Sequence, residues 1–130
     1  MRCVKLLFLA LCCSAIICAC NKDDDNDPTI VGLWKGKYGG LTSYPTLGYT
    51  MLFRSNGTVR VFDGTDTTTA SKAEGTYTVT NATVTTTYVY TGGTQYSTTA
   101  TINTGMTFME GTYGTGTNNA NAGRYFVVKQ

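Results

Sequence analysis

From Ile30 onward the chain alternates. Apolar and aromatic residues recur at every second position in short runs, and no 3.6-residue period appears anywhere in that stretch. The runs predict strands at Leu33 to Tyr38, Leu47 to Arg54, Thr58 to Phe62, Ala73 to Thr80, Thr83 to Tyr90, Gln95 to Ile102, Met106 to Tyr113 and Arg124 to Lys129. Between them lie Ser55-Asn56-Gly57, Asp63-Gly64-Thr65-Asp66, Asn81-Ala82, Gly92-Gly93 and Asn103-Thr104-Gly105. Asn-Gly and Gly-Gly supply the positive φ of tight hairpins, so the order reads as an antiparallel up-and-down meander. Eight short strands in sequence leave two exposed edges unless the sheet closes, and a small eight-stranded barrel removes both. The expected buried rows are Tyr49, Met51 and Phe53; Tyr77 and Val79; Val84, Tyr88 and Tyr90; Tyr96 and Ile102; Phe108; and Phe126 and Val128.

Composition agrees with this fold class. Roughly a quarter of the chain beyond Ile30 is threonine, tyrosine is abundant, and these residue types fit a pleated, half-buried surface. An eight-stranded barrel is either filled by side chains or holds one small ligand, which brings binding forward as a function.

The front of the chain is different. Arg2 and Lys5 precede LLFLALCCSAIICA, Leu6 to Ala19, an apolar run shorter than the roughly 20 residues of a spanning helix. A basic start and a short apolar run form the pattern of a signal peptide, here residues 1–19. Its end, Ile17-Cys18-Ala19-Cys20, resembles the lipobox of bacterial lipoproteins, in which cleavage before the cysteine exposes it for lipid attachment. That resemblance implies lipid on Cys20, and more than one acyl chain is needed for stable anchoring to a membrane. A plain secretory signal is the alternative.

Residues 20–29 then read as the lipidated cysteine and an acidic tether, NKDDDNDPT, with no apolar residue to bury. Lys22-Asp23-Asp24-Asp25 resembles the lipoprotein export signal of the Bacteroidota. It implies an outer-membrane, lipid-anchored protein displayed at the cell surface; the plainer reading is a spacer.

All five cysteines lie within the first twenty residues. The domain at 30–130 therefore has no disulfide, no thiolate metal site and no cysteine nucleophile, and the chain has no histidine. Beyond Pro28, seven Lys and Arg face four carboxylates, scattered rather than striped, so no nucleic-acid partner is expected, and neither a cofactor nor a metal.

One local motif stands out at the start of the domain, Gly32-Leu33-Trp34-Lys35-Gly36-Lys37-Tyr38. It resembles the Gly-x-Trp signature of the calycins, the superfamily of lipocalins, fatty-acid-binding proteins and avidins. The resemblance implies that Gly32 and Trp34 close one end of a barrel, with an arginine near the last strand packed across the indole. Arg124 is the candidate for that arginine. The chain lacks the lipocalin disulfide, the second lipocalin motif and the tryptophans of a biotin pocket. As a whole, residues 30–130 resemble the small lipocalin-like modules of bacterial lipoproteins: I-x-G-x-W-x-G-x-Y at the start, F-x-x-N-G-T from Phe53 to Thr58, and G-x-Y-x-V-x-K from Gly123. That resemblance carries no settled ligand.

Tyrosine is the other candidate chemistry, because its rigid ring with a hydroxyl tip suits sugar and aromatic ligands. Tyr88, Tyr90 and Tyr96 share one face across the Gly92-Gly93 hairpin and are the candidate ligand-binding residues; cross-strand packing is the competing explanation. Catalytic candidates are few. Glu74 and Glu110, each beside a Gly-Thr-Tyr element, would serve as a glycosidase-type pair only if they met, and are equally explained as exposed residues. Asp63 and Asp66 read as turn residues bonding their own backbone. Gly114 to Gly123, GTGTNNANAG, is either a lid over the barrel mouth or a loose tip.

The expected function is therefore non-catalytic binding of a small apolar, aromatic or sugar-like ligand. The alternative is a filled barrel acting as a structural or interaction module against an envelope protein or polysaccharide, with an enzyme third. A solid interior packed by Trp34, Met51, Phe53 and Phe108 would exclude the first.

Overall fold

The computed structural model describes residues 27–130. The expected signal peptide, Cys20, Lys22, Asp23, Asp24 and Asp25 lie outside the described residues. The strands are β1 (Gly32–Gly40), β2 (Leu47–Phe53), β3 (Thr58–Asp63), β4 (Ser71–Thr80), β5 (Thr83–Tyr90), β6 (Gln95–Ile102), β7 (Phe108–Thr115) and β8 (Gly123–Lys129). Each pairs antiparallel with the next, and β8 returns to β1, so the sheet is a closed barrel. Closure leaves every strand with two partners, which satisfies the backbone groups an open edge would expose.

Turn chemistry sets the boundaries. Gly57, Gly92 and Gly93 adopt φ of 81°, 114° and 92°, at the hairpins where Asn-Gly and Gly-Gly stand. The expected seventh strand begins later than the alternation suggested, at Phe108 instead of Met106. Asn103 is the reason: its side-chain carbonyl accepts the Thr107 and Phe108 amides at 2.8 and 3.1 Å, which holds Met106 and Thr107 in the turn and starts the strand at Phe108.

The interior has two halves. Trp34, Met51, Phe53, Val59, Met109 and Val127 fill one half completely. The Trp34 indole donates to the Ile30 carbonyl at 2.8 Å and meets Phe53 edge-on. Hydroxyls cross the middle of the barrel: Tyr125 donates to Thr98 at 3.3 Å, Thr98 and Thr86 bond at 2.7 Å, and Tyr49 and Tyr88 bond at 2.9 Å. Toward the opposite end the inward positions become tyrosines.

Two expected rows face the other way. Phe108 and Val128 are 37% and 43% exposed, and Phe126 stacks on Phe108 from outside. The inward residues of β8 are Tyr125 and Val127. Four successive apolar residues, Tyr125-Phe126-Val127-Val128, offer no polar position to mark a solvent face, so local alternation does not choose between the two settings. Val79, on the inward parity of β4, lies near its end and is exposed.

Candidate functional site

The open half of the barrel holds a cavity of about 590 Å³. Its walls are the rings of Tyr38 (β1), Tyr49 (β2), Tyr88 and Tyr90 (β5), Tyr96 (β6) and Tyr113 (β7). Strand alternation puts each of them on the inner face near the same end, since β1, β5 and β7 run toward the mouth while β2 and β6 start from it. The rim is made by Asp63, where β3 ends, by Ser71 and Lys72, where β4 begins, and by Thr91 and Thr94 of the β5–β6 hairpin.

The three tyrosines expected to share a face do meet. Tyr88 and Tyr96 stack at 5.9 Å, and Tyr90 stands nearly perpendicular to both at 5.8 Å. On the opposite wall Tyr38 is perpendicular to Tyr113 at 5.7 Å and tilted against Tyr49 at 5.6 Å. Each ring is braced by another, a geometry worth about 0.5–1.5 kcal/mol per pair beyond its burial.

Electrostatics keep the hydroxyls neutral. Burial pushes the Tyr38 phenol up to about 12, helped by its hydrogen bond to Asp63 and by that charge. Burial is also the leading cause of the upward shifts of Tyr49, Tyr88 and Tyr90, and the Tyr90 shift includes a contribution from the charge of Asp63. The Tyr38, Tyr49, Tyr88 and Tyr90 hydroxyls therefore keep their protons at neutral pH. Asp63 accepts from the Tyr38 hydroxyl at 2.8 Å.

Other expected site residues lie elsewhere. Gly32 and Trp34 sit at the filled end, where Trp34 is fully buried. Arg124 does not cross the indole: it is an exposed outward residue of β8, registered with Gly39 of β1 and Thr112 of β7. The cation over the Trp34 ring is Lys129, with its ammonium 6.0 Å from the centroid, and that ammonium also donates to the Thr29 carbonyl. The reason is register, because β8 pairs Lys129, not Arg124, with Trp34. The cation that joins first and last strand is thus a lysine.

Glu74 and Glu110 point away from the cavity on β4 and β7. Glu74 is held by Arg54 at 3.1 Å and by Arg60, and these partners outweigh burial to lower its carboxyl. Glu110 borders an outer groove beside Arg124 and Phe126. Asp66 behaves as a turn aspartate, accepting from the Thr68 amide at 2.9 Å and the Thr69 hydroxyl at 3.0 Å. Asp63 does not, because it faces the cavity. The polar segment after β7 is neither lid nor loose tip: Thr112 donates to the Asn119 carbonyl and Ser97 to the Gly116 carbonyl, which fold it onto the outer face of β6 and β7.

Sequence reasoning left Tyr38, Tyr49, Tyr113, Asp63 and Lys72 out of the site. Tyr38 and Tyr113 had a signal, the inward period of I-x-G-x-W-x-G-x-Y and of Gly-Thr-Tyr. Asp63 had none, since an aspartate before glycine reads as a turn. The chain was compared with protein-family models, curated proteins and solved structures, and none of the three gave a match.

Proposed function

We propose that the protein is a binding protein whose open barrel end takes one small ligand against tyrosine faces, without chemical conversion. The observation that carries this reading is the cavity of about 590 Å³, walled by six braced tyrosines and open at a rim of hydroxyls, the Asp63 carboxylate and Lys72. Its volume lies in the range of small-molecule sites, and rings with hydroxyl tips suit aromatic or sugar-like occupants. The carboxylates considered for glycosidase chemistry face outward, which favours binding over hydrolysis. The site is set beyond the membrane surface in this proposal, through lipid on Cys20 and export directed by Lys22, Asp23, Asp24 and Asp25.

Titration of the protein with a panel of monosaccharides and simple aromatic alcohols, followed by NMR, tests the reading. Shifts confined to Tyr38, Tyr88, Tyr90, Tyr96 and Tyr113 are expected, with Tyr96→Ala weakening binding about tenfold. Shifts confined to the outer groove at Phe108 and Phe126 would favour the interaction-module reading instead. Replacing Cys20 by serine should release the protein from membrane fractions; retention would remove the anchor from the proposal.

A further inference from the structure

We infer that the occupant of this cavity carries a positive charge: an organic ammonium group boxed by tyrosine rings and countered by Asp63. The inference rests on the cavity being a binding site and specifies the chemistry of what it takes.

Aromatic faces are negative at their centres, so rings set around one space attract a cation, most of all one too bulky and weakly hydrated to prefer water. Here the rings stand in perpendicular sets. Tyr38 and Tyr113 meet at 84°, and Tyr90 stands at 89° to Tyr96 and 81° to Tyr88. Rings that line one space at right angles present their faces in more than one direction, as the walls of a box do and a flat platform does not.

Charge points the same way. Asp63 is, among the described residues, the only carboxylate lining the cavity. Among the described residues the one hydrogen bond its carboxylate accepts is from Tyr38, to Oδ1, and no ion pair engages it. Its charge contributes to the upward shifts of Tyr38, Tyr90 and Tyr113 on three different strands. No Lys or Arg among the described residues forms an ion pair with this exposed carboxylate, so its charge is open to an occupant of the mouth. Lys72 shares the rim with Asp63 but forms no ion pair with it: the buried Ala73 beside it faces inward, so the exposed Lys72 takes the outward parity of β4. Among the described residues the lining contains no amide side chain and no guanidinium, the groups that would grip sugar hydroxyls or an anion in pairs. The mouth therefore offers ring faces, hydroxyls and a carboxylate with no ion-pair partner among the described residues, beside a single outward-parity lysine.

Choline is the probe, and its neutral carbon isostere, in which a tert-butyl group replaces the trimethylammonium, is the control. Calorimetry and NMR on the full-length protein in detergent should show choline shifting Tyr38, Tyr90 and Tyr96 and binding about tenfold more tightly than the isostere. Asp63→Asn keeps an acceptor for the Tyr38 hydroxyl and so keeps the fold; it should weaken choline about tenfold and leave the isostere unchanged. Tyr90→Leu, a second variant, should weaken choline more than the isostere. Vesicles of phosphatidylcholine that bind the protein and are displaced by choline would assign the ammonium to a lipid headgroup, and binding of free choline alone to a soluble amine; both support the inference. Equal affinity for choline and the isostere, or an indifferent Asp63→Asn, overturns it. If choline fails but glucose or benzyl alcohol fills the cavity, the charge inference falls and the binding reading stands. If none of these binds, both fall.

Discussion

Tyr49 and Tyr88 show how a polar group survives in a barrel interior. Tyr49 is 4% exposed and Tyr88 3%, and each hydroxyl is the other's partner at 2.9 Å. Tyr49→Phe leaves the Tyr88 hydroxyl buried and unpaired, so it should lower stability by about 1–3 kcal/mol in urea denaturation. The double replacement Tyr49→Phe/Tyr88→Phe removes both partners and should be less harmful than the single one; an additive loss would show that the bond contributes nothing. A second residue-scale prediction separates the two basic candidates on the last strand. Lys129→Ala removes the cation over Trp34 and a tie to Thr29, and should cost about 0.5–2 kcal/mol. Arg124→Ala should stay within about 0.5 kcal/mol, as an exposed position. The reverse order would restore Arg124 to the indole.

At the level of strands a Gly-x-Tyr spacing recurs, at Gly36–Tyr38, Gly75–Tyr77, Gly111–Tyr113 and Gly123–Tyr125. The glycine faces inward where the neighbouring strand comes close. A Cβ on Gly75 would stand 2.6 Å from the Tyr88 Cα, and one on Gly111 would stand 2.5 Å from the Ala100 Cα. These are backbone atoms that no rotamer change moves. Gly75→Ala should therefore push β4 from β5, lower stability by about 1–3 kcal/mol or more, and shift the resonances of Tyr88, whose ring walls the cavity. An unperturbed Tyr88 would mean that the strands have slack. Most of this element scale was legible beforehand: β5 and β6 match the expected strands residue for residue, because β-branched alternation and Gly or Asn turns mark both ends. The faces of Phe126 and Val128 were not, because both parities of β8 are apolar, and neither was that of Phe108, which stands beside the equally apolar Met109 at the start of β7. The period of G-x-Y-x-V-x-K did carry the answer, since Gly123, Tyr125, Val127 and Lys129 share the inner face.

For the whole molecule the buried phenols set an alkaline limit. A tyrosine is charged when deprotonated, and burial disfavours that form, so the folded state holds the proton more tightly than the unfolded chain. Their contribution to stability is full below the ordinary value of 10.0 and is lost as pH climbs through the folded values, about 12 for Tyr38 and Tyr125. Urea midpoints should be flat on the alkaline side up to pH 10 and fall steeply above it, with tyrosinate absorbance lagging that of a denatured control. Loss of stability without the lag would mean that the phenols are already exposed.

By itself the chain fixed the class of fold, because alternation and turn chemistry are local and each strand carries its own signal. It also marked Trp34 as a structural residue and Tyr88, Tyr90 and Tyr96 as neighbours, since one hairpin joins the last three. Only the closed barrel decided that one half of the interior is filled and the other open. That division depends on which inward residues of eight strands fall at the same height, a consequence of register around the whole circuit. The same closure brought Tyr38, Tyr113 and Asp63 together, from strands far apart in sequence, and set Lys129 rather than Arg124 over the indole.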